Sequence, residues 1–321
     1  MIFGRENDLV LLRLSTKHSQ LNTSAMSDHF LTLSSGRKLA YADYGDPDGE
    51  VLFYFHGWPS SRLQGELLDG IAKKYGLRVI ATDRPGLGLS DFQPDRKLLD
   101  WPPVMRELSQ HLSADKFHVL GVSGGGPYVL SLAYTMPERL LSAGVVCGAP
   151  PLKMVGKEGL MWPYRLAMRV RDWMPWMLGP TLRTASKISE LKQTSFIMRS
   201  LIATLGPKDR EALAIDDNYR IITRSLQECM RGSSEAVRVD GDIYTSDWGI
   251  DFQKVTYPLL YWQGDLDRNI PLGLAKQFIQ MLPNAKLTVL PDEGHYSLPL
   301  LRSQEIVEAL LASRNGKTVV T

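Results

Sequence analysis

The feature that most restricts this chain is a serine held between glycines at the junction of a strand and a helix. Phe117 to Val122 is a short apolar, β-branched run, which predicts a strand buried on both faces. Tyr128 to Tyr134 has helical composition and stops before Met136-Pro137. Between them Gly121-Val122-Ser123-Gly124-Gly125 matches G-x-S-x-G. The glycines let the backbone turn sharply and lift the Ser123 hydroxyl above the sheet edge, where a base can reach it from one side and a substrate carbonyl from the other. The N–H of Gly124 then faces a developing oxyanion, with the N-terminus of the helix behind it.

The surrounding chain supplies the sheet that such an elbow needs. Phe30 to Leu33 and Lys38 to Ala42 read as an antiparallel hairpin across a Ser34-Ser35-Gly36-Arg37 turn. From Val51 strands and helices alternate: a strand to Phe55, a helix over about 63–75, a strand over 77–81, a helix from an Asp100 N-cap to about Ser113, the serine strand and its helix, and a strand over 141–147. The pattern predicts an α/β fold with a mostly parallel central sheet flanked by helices, its active loops at the carboxyl ends of the strands. Alternation stops at Pro150 and resumes after Asp240 with a strand over 257–263, a helix over 272–281, a strand over 285–290 and a final helix over 300–312. The expected organisation is therefore a loose N-terminal arm over 1–27, a core formed by 28–149 and 241–315, and an inserted helical lid over 150–240. Within the insertion, tryptophan and methionine recur at helical spacing, and Met154, Trp162, Trp173 and Met177 are the expected walls of an apolar substrate pocket.

Composition removes several function classes. The 321 residues carry 37 Lys and Arg against 35 Asp and Glu, and no basic cluster of the kind that grips a phosphate backbone stands out, so nucleic acid is not an expected partner. No run reaches the roughly twenty apolar residues of a membrane span, and the N-terminal apolar patch is too short for a secretory segment, which makes the cytoplasm the expected location. Cys147 and Cys229 show neither metal-site spacing nor a disulfide framework, and no cofactor or metal is expected.

Three polar residues stand just past strand ends in the order Ser123, Asp267, His295. A serine hydroxyl is a poor nucleophile alone. It needs an imidazole to take its proton and a carboxylate to fix the imidazole tautomer and balance its charge. These roles fall to Ser123 as nucleophile, His295 as base and then acid, and Asp267 as orienting carboxylate. Asp265 is the rival carboxylate, set earlier in the turn and suited to capping local N–H groups. His56 reads as a loop histidine bonded to backbone. Trp58, two residues on, is the expected second oxyanion donor through its backbone N–H and also a substrate contact.

Taken together, His56-Gly57-Trp58-Pro59, Asp83-Arg84-Pro85-Gly86-Leu87-Gly88-Leu89-Ser90, Gly121-Val122-Ser123-Gly124-Gly125, Gly264-Asp265-Leu266-Asp267 with Ile270-Pro271, and Gly294-His295 resemble the α/β-hydrolase superfamily, in its branch of lidded serine esterases. The likeness runs from about Leu31 to Ala312. It implies that the second aspartate of Gly264-Asp265-Leu266-Asp267 is the acid. Relatives that open epoxides or remove halides carry an aspartate nucleophile where this chain has Ser123, so those activities are not expected. The expected activity is hydrolysis of a carboxylic ester, or a related acyl compound with an apolar acyl group, through an acyl-enzyme. Amide, lactone or carbon–carbon cleavage and lyase chemistry are alternatives on the same scaffold. A ligand-binding receptor with a silent triad is the alternative from another class. Oligomeric state is not legible.

Overall fold

The computed structural model describes residues 28–316. The predicted arm over 1–27 lies outside them. Eight strands form one sheet: β1 (His29–Thr32), β2 (Lys38–Gly45), β3 (Glu50–Phe55), β4 (Leu77–Thr82), β5 (Phe117–Val122), β6 (Leu140–Val146), β7 (Leu259–Gly264) and β8 (Ala285–Leu290). Their spatial order is β1-β2-β4-β3-β5-β6-β7-β8. β2 pairs antiparallel with β1 and β4, and every other neighbour is parallel. The hairpin expected from the sequence is therefore the one antiparallel margin of a parallel sheet.

The central strands read as unbroken apolar runs because helices cover both faces. Along β5, Phe117 and Val119 enter one core with Phe53, Phe55 and Tyr128, while Leu120 and Val122 enter the other with Leu52, Tyr54 and Val146. The flanking helices are α1 (Asp69–Tyr75), α2 (Trp101–His111) and α3 (Gly126–Thr135). Between β6 and β7 come seven helices: α4 (Leu152–Val155), α5 (Trp162–Trp173), α6 (Pro175–Ser189), α7 (Phe196–Ala203), α8 (Pro207–Ala214), α9 (Asp216–Cys229) and α10 (Ser234–Ile243). Then α11 (Leu272–Ile279) precedes β8, and α12 (Ser297–Leu301) and α13 (Ser303–Ala312) follow it.

Three local expectations are adjusted. The helix expected over 63–75 begins as a 3-10 turn, Arg62–Leu68, which sets Gly65 against Ala81 and Tyr44; a Cβ at Gly65 would stand 2.5 Å from that of Ala81. The single helix over 300–312 is two, because Arg302 leaves helical geometry at φ −111° and reaches Glu293 and Glu305. Asp100 does stand at the N-cap of α2, but its side chain makes no capping bond to the helix; its carboxylate turns back to accept from the Lys97 N–H at 2.8 Å.

A buried ionic cluster ties α10 to the core. Asp240, fully buried, accepts from Arg84 at 2.7 and 3.0 Å, from the Tyr128 hydroxyl at 2.7 Å and from Arg96. Burial alone would raise the Asp240 pKa, but the two guanidiniums outweigh it and hold the carboxyl well below the usual range. Arg84 also donates to the carbonyls of His56 and Gly57 at 2.7 and 2.9 Å, so one residue anchors both the inserted helices and the loop after β3.

Candidate active site

The parallel strands deliver four loops to one edge of the sheet, from the carboxyl ends of β3, β5, β7 and β8. At the tip after β5, Ser123 takes φ +52°, a left-handed conformation that a non-glycine residue adopts only where its surroundings enforce it. The enforcing contact is visible two residues on: any Cβ at Gly125 would overlap the Phe55 carbonyl, so only glycine lets the new helix start this close to β3.

Ser123 Oγ lies 3.0 Å from His295 Nε2, and His295 Nδ1 lies 2.8 Å from Asp267 Oδ2. A carboxylate only accepts, so Nδ1 carries the ring proton and Nε2 is left with its lone pair toward the serine. Asp267 is itself held: Oδ1 accepts from the N–H groups of Asn269 and Ile270 at 2.8 Å each, and Oδ2 from Gln263 Nε2 at 2.9 Å. Asp265 is exposed, so the structure brings the later aspartate, not the earlier one, to the imidazole. Burial would lower the His295 pKa, but the attraction and hydrogen bond of Asp267, joined by the charge of Asp209, raise it above the ordinary value.

Asp209 is a residue that sequence reasoning missed. It lies on α8 of the insertion, is 2% exposed, and accepts from three successive N–H groups, those of His295, Tyr296 and Ser297, at 3.2, 2.9 and 2.8 Å. A Cβ at Gly294 would overlap this carboxylate. In the sequence Asp209 looks like an ordinary acidic residue in a helix's first turn, and nothing nearby marks a partner 86 residues away.

The loop after β3 sits on the other side of the serine. Gly57 packs against the Ser123 Cβ, and the side chain of Trp58 packs over Gly124. The indole N–H of Trp58 donates to the Val237 carbonyl at 2.9 Å, and the Tyr244 hydroxyl donates to the Gly124 carbonyl at 3.1 Å. The His56 ring is fully buried and donates from Nδ1 to Gly57 O at 2.8 Å, the backbone-bonded role its sequence context suggested. Burial and the nearby Arg84 push its pKa well below the ordinary value, so it stays neutral.

A cavity of about 100 Å³ opens beside Ser123. Its wall includes Trp58, Gly124, Leu152, Leu160, Tyr164, Met168, Tyr244 and Ile270, with Arg238, Asp242 and Asn269 as polar members. Of the expected pocket residues only Trp58 is there. Met154, Trp162 and Trp173 are 61%, 65% and 85% exposed, and Met177 is not in the wall. The reason is helical phase. Tyr164 and Met168 stand two and six residues after Trp162, about 200° and 240° around the helix, so α5 turns those two to the cavity and Trp162 away from it. Met177 belongs to a separate helix, since α5 ends at Trp173 and α6 restarts at Pro175.

The ligand-capable atoms of Cys147, Asp267 and His295 lie within 4.8 Å of one another, a grouping that sequence spacing does not reveal. Burial, with the charge of Asp267 beside it, pushes the Cys147 thiol well above its ordinary pKa, and the other two groups are already bonded to each other through His295 Nδ1 and Asp267 Oδ2. Among the described residues no helix is long and apolar enough to cross a membrane.

Comparison with known proteins gives the geometry its context. The chain is 25% identical over 294 residues to a bifunctional esterase/perhydrolase of Acinetobacter calcoaceticus, covering 88% of this chain and 98% of that protein. It is 27% identical over 276 residues to a non-heme haloperoxidase of Rhodococcus erythropolis, covering 83% and 92%. The fold superposes on a bromoperoxidase from Bacillus anthracis with TM-score 0.67 at 20% identity, covering 89% of this chain and 99% of the other. A family model described as alpha/beta hydrolase fold matches residues 50–300, and the chain belongs to that family.

Proposed function

We propose that this protein is a serine hydrolase that cleaves a carboxylic ester with an apolar acyl group. The observation that carries the reading is the continuous relay from Ser123 through His295 to Asp267 beside an apolar cavity. Ser123 Oγ attacks the ester carbonyl as His295 Nε2 takes its proton, and Asp267 balances the imidazolium. The N–H groups of Trp58 and Gly124 receive the oxyanion, a contribution of about 3 kcal/mol for each donor. Collapse expels the alcohol, which takes the proton from His295, and leaves an acyl group on Ser123. Water, deprotonated by the same imidazole, then releases the acid. No metal or organic cofactor takes part in these steps. An ester is favoured over an amide because an alkoxide leaves more readily than an amine.

Residues 150–240 act as a lid in this reading, with Leu160, Tyr164 and Met168 forming the acyl wall. The two cysteines, both free and buried, suit a reducing cytoplasm. The test is pre-steady-state: rapid mixing with a p-nitrophenyl ester should give a burst of nitrophenol stoichiometric with enzyme, followed by slower turnover. Nitrophenol release that never exceeds the buffer rate would favour a binding protein with a silent triad.

A second reading follows from the likeness to an esterase/perhydrolase. The acyl group on Ser123 passes to hydrogen peroxide instead of water, giving a peracid and free serine. The ratio of peracid to acid formed from a short ester in peroxide distinguishes the two.

A further inference from the structure

The charge of this chain is unevenly placed. Residues 152–205 hold nine Lys and Arg against three Asp and Glu, while the rest of the chain holds 28 against 32. The near-neutral total therefore hides a basic module on an acidic body. That module also carries the most exposed large aromatic side chains among the described residues: Trp162 at 65%, Trp176 at 74%, and Trp173 and Phe196 at 85%.

The helical phase arranges both properties together. On α5 the exposed Trp162, Arg165, Leu166, Arg169 and Trp173 recur at intervals of three, four, seven and eleven residues, which confines them to a stripe about 100° wide. The opposite side of α5 carries Tyr164 and Met168 in the cavity wall. On the neighbouring α6, Trp176, Arg183 and Lys187 repeat the pattern at seven and eleven residues. Each of these two packed helices thus carries tryptophan with arginine or lysine on one exposed stripe.

We propose that this face docks onto an anionic lipid surface. The guanidiniums meet lipid phosphates, and the indoles settle at headgroup level, where one end of the ring is apolar and the other wet. A second copy of the chain fits poorly, because a two-fold interface would set this basic face against itself. Docking places the cavity-lining helix flat on the lipid, though the binding itself does not depend on the hydrolase reading.

The experiment is flotation of the full-length protein with vesicles of phosphatidylcholine alone or mixed with phosphatidylglycerol, at low and high salt, together with its oligomeric state by light scattering. The wild type should float with the anionic vesicles, at least about tenfold better than with the neutral ones, and lose most of that binding in high salt. Arg165→Glu with Arg169→Glu, and separately Trp162→Ser with Trp173→Ser, should each lower binding about tenfold or more. Melting temperature and turnover of a soluble acetate ester should stay as in the wild type, since none of these side chains enters the cavity wall. Wild-type protein that stays unbound with both vesicles overturns the proposal, as does equal flotation of wild type and variants. A dimer that the tryptophan variant separates, without lipid binding, would assign the face to a second copy instead.

Discussion

Asp209 gives the sharpest independent test of how the inserted helices and the histidine loop are joined. Its carboxylate accepts from three successive backbone N–H groups while nearly sealed from water. A hydrogen bond to a charged group contributes about 1.5 to 3 kcal/mol, and the three are not additive because the loop can relax and admit water. Asp209→Ala should therefore cost about 3 to 5 kcal/mol, a fall in melting temperature on the order of 10 °C for a domain of this size. Asp209→Asn is the more informative change. The amide oxygen can still serve Tyr296 and Ser297, while its NH2 would face the His295 N–H, donor against donor. The negative charge that helps to raise the His295 pKa is also removed. Removing it lowers that pKa, so the acid limb of kcat/KM should move to lower pH. Loss of alignment should cut kcat by about 10- to 100-fold with a smaller change in KM. Differential scanning fluorimetry and a pH–rate profile for both variants decide the matter. An Asp209→Asn enzyme with wild-type melting temperature and an unmoved acid limb would refute the reasoning.

Three further outcomes follow from the site. Asp267→Asn should lower kcat by about 10⁴-fold while Asp265→Asn leaves it nearly unchanged, because only Asp267 touches the imidazole; steady-state kinetics on the two folded variants checks this. In the wild type, the base form of His295 is lost as pH falls through its raised pKa, so activity should begin to decline above the ordinary histidine value of about 6.5, and a profile flat to pH 5 would contradict a histidine base. Met168→Ala should change the preference between a bulky and an acetyl ester by about 1 to 3 kcal/mol in kcat/KM, whereas Trp173→Ala should leave it alone, as competition between the two esters will reveal.

Much of the architecture could be read from local pattern. The apolar runs of β3, β5 and β6 required helices on both faces, and Gly121 to Gly125 required the turn that holds Ser123 at φ +52°. The choice of Asp267 over Asp265 also followed from reach, since two more residues carry the chain past the strand end and toward the loop after β8. What was illegible depends on contacts between distant segments or on which side of a helix faces inward. Periodicity reveals that α5 has two faces, but both carry large apolar residues, Trp162, Leu166 and Trp173 on one and Tyr164 and Met168 on the other. Hydrophobicity alone assigned the wrong one to the cavity. Likewise Asp209 and Asp240 read as common helix acids, and only the fold brings them to the N–H groups of residues 295–297 and to Arg84.

The central claim is that Ser123 is the nucleophile and carries the acyl group. Intact-mass measurement after treatment with a fluorophosphonate tests it most directly. The wild type should gain one adduct, mapped by peptide sequencing to Ser123, with loss of esterase activity in step. Ser123→Ala should fold normally, gain no adduct and lose turnover by about 10⁴-fold or more. An adduct that persists in Ser123→Ala, or ester turnover that survives the substitution, would contradict the account.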